Sequence, residues 1–125
     1  MSDFGMPVVR QQADSARIDC GLVLVVSQTP VNRIVVARIA ERCGMRSEAL
    51  EPSQAGEFLS RIVPAAIILD GGGDNRDCDG LVDELSFRLE ILDGAAPAVI
   101  FLSTASDLPE GLPAASLADA VVAKP

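Results

Sequence analysis

Short, uninterrupted runs of branched apolar residues alternate along this chain with segments of helical periodicity, and that alternation restricts the fold more than any other feature. Residues 22–26 (LVLVV), 65–69 (AAIIL) and 98–102 (AVIFL) are apolar at every position. A strand with one wet face would alternate polar and apolar side chains. A continuous run instead suits a strand covered on both faces in a parallel sheet. Residues 45–50 and 120–123 supply two shorter strands. Between them, Thr29 and Pro30 open a helix with Val31, Ile34, Val35 and Ile39 on one face and Gly44 beyond its end. Pro52 and Ser53 introduce Ala55, Phe58, Leu59 and Ile62 at helical spacing, and Val82, Leu85, Leu89 and Leu92 repeat the pattern before Asp93-Gly94. The fourth crossover, 103–119, is broken by Pro109, Gly111 and Pro113, so only a short or irregular helix is expected there. Repeated strand–helix units with right-handed crossovers give an α/β domain, a doubly wound parallel sheet of five strands.

The 125 residues are one domain's length, and 49% of them are apolar, enough for a single core. Residues 1–18 show no sustained periodicity and read as a mobile leader, leaving 19–125 as the domain. The apolar runs are far shorter than the ~20 residues that span a bilayer. No basic start followed by an apolar core marks a secretion signal, so a cytoplasmic location is expected, without membrane contact. A formal charge of −8 disfavours direct nucleic-acid binding, which needs clustered cations. Cys20, Cys43 and Cys78 show no metal-ligand spacing and read as reduced thiols with a structural role. Because the chain has no histidine, imidazole ligation and Ser-His or Cys-His catalysis are excluded. Carboxylates, hydroxyls and a single lysine, Lys124, remain as its chemistry.

In open α/β sheets, sites form at the carboxyl ends of the strands. Here those positions hold Ser27-Gln28, Asp70, Ser103-Thr104 and Lys124. The ordered set Leu24-Val25-Val26, Pro30-Val31-Asn32-Arg33, Ile67-Ile68-Leu69-Asp70, Asp79-Gly80-Leu81, Pro97 through Ser103, and Ala118-Asp119 through Lys124-Pro125 resembles the response-regulator receiver (CheY-like) family. The resemblance covers residues 22–125. It implies a flavodoxin-like sheet of order 2-1-3-4-5, with the family's final helix absent from this chain. It also implies a two-component signalling module in which Asp70 is the phospho-acceptor, Ser103 the hydroxyl that grips the phosphoryl group and Lys124 its cationic partner. Asp70 and the carbonyl of Gly72 correspond to metal ligands. The implied partners are a histidine kinase or phosphotransfer protein and an output domain. Enzymatic activity is expected to go no further than self-phosphorylation of Asp70 from a phosphodonor.

Several positions depart from the family pattern. Ser27 and Gln28 stand where an acidic pair holds the divalent cation, so Mg2+ binding is expected to be weak and phosphorylation slow. Asp74 and Asp77 are candidates to compensate, although with Asp79 they lack a calcium-loop pattern. Val121 replaces the aromatic switch residue, and with Val122 it is expected to need a cover such as a second copy of the chain. As a strand-end carboxylate, Asp70 is expected to contribute chemistry rather than stability. A phosphorylation-independent receiver-like interaction module is the alternative reading. A nucleotide-binding protein using Gly71-Gly72-Gly73 as a phosphate cradle ranks lower, because no complete glycine motif is present.

Overall fold

The computed structural model describes residues 16–104 and 112–124. Five strands, β1 (Arg17–Val26), β2 (Arg46–Leu50), β3 (Ile62–Asp70), β4 (Ala98–Ser103) and β5 (Ala120–Ala123), form one parallel sheet in the order β2-β1-β3-β4-β5. The helices are α1 (Pro30–Arg42), α2 (Pro52–Leu59), α3 (Val82–Leu92) and the four-residue α4 (Pro113–Ser116), with 3-10 turns at Asp79–Leu81 and Asp93–Ala95. The chain therefore has the flavodoxin-like topology expected from its alternating runs. None of these helices is long and apolar enough to cross a membrane.

The side chains of β1, β2 and β3 divide between two cores, and β4 contributes to one of them. Leu24, Val26, Ile67, Leu69, Val99 and Phe101 pack with Ala55 and Leu59 of α2 and with Leu81 and Leu85 around the start of α3. On the opposite face, Val23 and Val25 meet Ala40 and Val36 of α1, with Ala49, Ala66 and Ile68 around them. Burial of the inner strands on both faces explains why their sequences are apolar throughout.

Ile62, expected on the helix opened by Pro52, instead begins β3, and two further local expectations change. β1 begins at Arg17, so residues 17 and 18 belong to the sheet rather than to a leader. Its first residues, Arg17, Ile18 and Asp19, pair with Ile62, Val63 and Pro64, and the register then shifts between Asp19 and Val23. That irregular start carries the polar residues Arg17 and Asp19, which hid it from an apolar pattern. Residues 1–15 lie outside the described residues.

The second change concerns α1, in which Val31, Ile34, Val35 and Ile39 are exposed, at 64%, 58%, 49% and 56%. The face turned to the sheet is instead Asn32, Val36 and Ala40, at the i, i+4, i+8 spacing. The helix is rotated by polar contacts at its start, where Asn32 reaches Asp70 and the Arg33 guanidinium donates to the Ser27 carbonyl at 2.7 Å. β5, at the sheet edge, is also open, with Val121 and Val122 about half exposed.

Candidate functional site

Asp70 ends β3 and points into the region where the carboxyl ends of β1, β3 and β5 converge, and only 1% of it is exposed. The register of β3 on β4 continues to the pair Asp70 and Leu102, and the Gly71 N–H donates to the Leu102 carbonyl. The backbone beneath the carboxylate is thus fixed by the sheet. Each carboxylate oxygen accepts two hydrogen bonds. Oδ1 takes Lys124 Nζ at 2.6 Å and the Gly72 N–H at 3.0 Å. Oδ2 takes Ser27 Oγ at 2.7 Å and Asn32 Nδ2 at 2.8 Å.

Those donors come from four separate segments. Ser27 follows β1 and is fully buried, and its hydroxyl oxygen also accepts from the Thr29 N–H at 3.2 Å. Thr29 occupies the N-cap position of α1, but its own side chain makes no cap bond. Asn32 lies in the first turn of α1, which Pro30 starts. Lys124 follows β5, and its N–H extends the β4–β5 ladder by donating to the Ser103 carbonyl at 2.8 Å. Burial pushes the Asp70 pKa upward, but the bonds from Lys124, Ser27, Asn32 and the Gly72 amide outweigh it and bring the value down to about 2.

The loop after β3 is held from the other side. Asn75, at φ 63° and 6% exposed, accepts the Thr104 N–H on its side-chain oxygen at 2.9 Å. Asparagine tolerates this left-handed backbone better than most side chains. The Thr104 hydroxyl donates to the Gly72 carbonyl. Gly72 itself has φ 73°, and a Cβ there would lie 1.9 Å from Asp77 Oδ2. The Asp77 carboxyl therefore sits over the loop, with its pKa raised by burial and by the charges of Asp74 and Asp70, while Lys124 acts in the opposite sense.

The structure thus brings Asp70, Lys124, Ser27 and Gly72 together, and places Ser103, fully buried, at the adjoining end of β4. Gln28 is exposed at the rim. Asn32 and Asn75 also hold the site, although the sequence assigns them no role there, and Thr104, a strand-end candidate beside Ser103, holds it through Asn75 and the Gly72 carbonyl. Asn32 carried a local signal, a weak helix former in a helix's first turn where a polar reach toward Asp70 explains it. Asn75 carried none, because its pairing with Thr104 spans 29 positions.

The donor set does not fit a hard divalent cation. The one central carboxylate is already saturated by N–H and O–H donors, and the Gly72 carbonyl accepts from Thr104. Among the described residues no three Asp, Glu, Cys or His side chains cluster to hold a metal ion. The glycine run is no phosphate cradle either. The Gly71 and Gly72 N–H groups are used by Leu102 and Asp70, and a Cβ on Gly71 would lie 2.6 Å from Phe101. The structural reading of the thiols holds for Cys78 alone. It is buried, with its pKa pushed up to about 12 by burial and then by Asp70, Asp77 and Asp79, whereas Cys20 and Cys43 are exposed.

The fold, with this strand order, is shared with solved structures. The signal receiver domain of a signal transduction histidine kinase from Syntrophus aciditrophicus matches with TM-score 0.65 and 27% identity, over 85% of this chain and 80% of that one. The chain is a receiver-fold domain. The pseudo-receiver domain of the CikA protein superposes on the same fold with TM-score 0.65 and 22% identity, over 85% of this chain and 86% of that chain. Chemotaxis protein CheY4 of Vibrio cholerae gives TM-score 0.65 at 16% identity, over 86% and 88%. Neither a protein-family model nor a curated protein matches the sequence. Within the receiver fold, Asp70 stands at the end of the central strand and Lys124 at the end of the edge strand β5, closed on one another.

Proposed function

We propose that this chain is a receiver module of a two-component signalling system, in the cytoplasm, whose output is carried by protein–protein contact and whose Asp70 accepts phosphate weakly. The observation that carries this reading is the saturation of Asp70, with two donors on each oxygen. Phosphoryl transfer would require an Asp70 oxygen to attack phosphorus while the bond to the leaving group breaks. The attacking lone pairs are engaged by Ser27 and Asn32 or by Lys124 and Gly72, so a donor must be displaced before either oxygen can attack. Lys124 can offset part of the charge on an incoming phosphoryl group, and Ser103 at the end of β4 corresponds to the hydroxyl that would grip it. The neutral pair Ser27 and Gln28 favours weak Mg2+ binding. A histidine kinase or phosphotransfer protein and an output domain remain the partners that this fold proposes.

The reading is tested by labelling from a small phosphodonor with and without Mg2+, read as acyl phosphate by intact mass. Wild type should label slowly and with little Mg2+ dependence, and Asp70→Asn should not label at all. The pair Ser27→Asp with Gln28→Asp should melt at lower temperature without Mg2+, because a charge replaces the Ser27 donor beside Asp70 Oδ2. Mg2+ should restore that loss and speed labelling. Rapid, Mg2+-dependent labelling of wild type would overturn the proposal in favour of an ordinary phosphorylated receiver.

A further inference from the structure

Two helices on opposite faces of the sheet expose apolar residues that the fold does not use. On α1 these are Val31, Val35 and Ile39, 49–64% exposed, and the i+3 and i+4 positions beside them are the exposed Arg38 and Arg42. On α3 they are Phe87 at 61% and Ile91 at 51%, with Asp83, Glu84 and Glu90 at the corresponding spacings. α1 is thus a basic apolar face in a chain of net charge −8, carrying three arginines against one glutamate. α3 carries three acidic residues against Arg88, which is already paired with Glu84 at 3.0 Å.

We propose that copies of this chain associate head to tail, the basic apolar face of α1 docking on the acidic apolar face of α3 of a second copy. Charge complementarity selects that occupant. Two α1 faces brought together would oppose Arg38 and Arg42 to their own copies, and two α3 faces would oppose Asp83, Glu84 and Glu90, so both symmetric pairings are penalised by like charges. The α1–α3 pairing sets arginine against carboxylate around a centre of Val35, Ile39, Phe87 and Ile91. Because the two helices cover different faces of the sheet, one copy can engage two neighbours at once. Such a heterologous contact extends into a ring or filament. With only two short helical faces involved, the contact belongs with small, weak interfaces.

The test is sedimentation of the full chain from about 10 µM to about 1 mM, the range in which a small interface would be seen. At about 0.02 M salt the mean mass should rise several-fold with concentration, and at about 0.5 M salt it should fall back toward monomer, because the rim charges are screened. Val35→Gln with Ile39→Gln, or Phe87→Gln with Ile91→Gln, should each give a monomer at every concentration. Their thermal melting should be retained, since these side chains are half exposed or more. Mixing the two variants should yield a 1:1 dimer that grows no further, because each supplies the face the other lacks. Arg38→Glu with Arg42→Glu should also abolish association, and mixing with Asp83→Lys and Glu90→Lys should restore it. A monomeric wild type, association strengthened by salt, or dimers formed by either blocked variant alone would overturn the proposal.

Discussion

Asp70 and Lys124 stand 54 positions apart in the chain, and the Lys124 ammonium lies 2.6 Å from Oδ1 of the Asp70 carboxylate, of which 1% is exposed. The contact joins the end of the central strand β3 to the end of the edge strand β5, across β4. An ion pair so placed fastens the open edge of the sheet to its centre, and Ser27 and Asn32 fasten β1 and α1 to the same carboxylate.

The expectation for Asp70→Asn changes accordingly. A side chain accepting four hydrogen bonds is a structural hub, so the variant should fold but lose about 2 kcal/mol in urea unfolding. Lys124→Met should cost a similar amount by leaving the buried carboxylate short of its cation. The double variant should lose clearly less than the two single losses together. Additive losses would show that the pair is not coupled.

The same carboxylate sets a pH dependence. Its folded pKa of about 2 lies below its ordinary value of 3.8, so its contribution is fully present above pH 3.8 and is lost as pH falls toward 2. The loss should be about 2 kcal/mol, the free-energy equivalent of that shift. Urea midpoints measured between pH 5 and pH 2 should fall in wild type and fall less in Asp70→Asn. Asp77 acts in the opposite sense because its pKa is raised, so Asp77→Asn should raise the melting temperature slightly at neutral pH.

The two central glycines of the loop should respond differently. Gly72→Ala places a Cβ against Asp77 at φ 73° and should destabilise by about 2 kcal/mol, from backbone strain and displacement of Asp77. A Cβ on Gly73 meets nothing within 4 Å, so Gly73→Ala should melt within a degree or two of wild type. Equal losses at both positions would contradict the close approach of Asp77.

Thiol reactivity should separate in the same way. Cys20 and Cys43 are exposed and should alkylate in the native protein at neutral pH, whereas Cys78 should react only after unfolding. Mass analysis after a short iodoacetamide pulse should find two labels on the folded chain and three on the denatured one.

The sheet, its crossovers and the position of Asp70 were legible in the sequence because they depend on local pattern. Continuous apolar runs such as 65–69 must be covered on both faces, and a parallel sheet puts its loops, and hence its polar residues, at the strand ends. The rotation of α1 was not legible. Its apolar stripe predicts one buried face, yet the contacts of Asn32 with Asp70 and of Arg33 with Ser27 turn Val31, Ile34, Val35 and Ile39 to solvent. The state of the site was likewise beyond local pattern. The sequence by itself determined that neutral residues follow β1 and that a lone lysine follows β5. Only the tertiary structure decided that Ser27, Asn32, Gly72 and Lys124 converge on the two oxygens of Asp70, because three of these four partners lie 38 to 54 positions away and a hydrogen bond depends on ångström-scale placement in space.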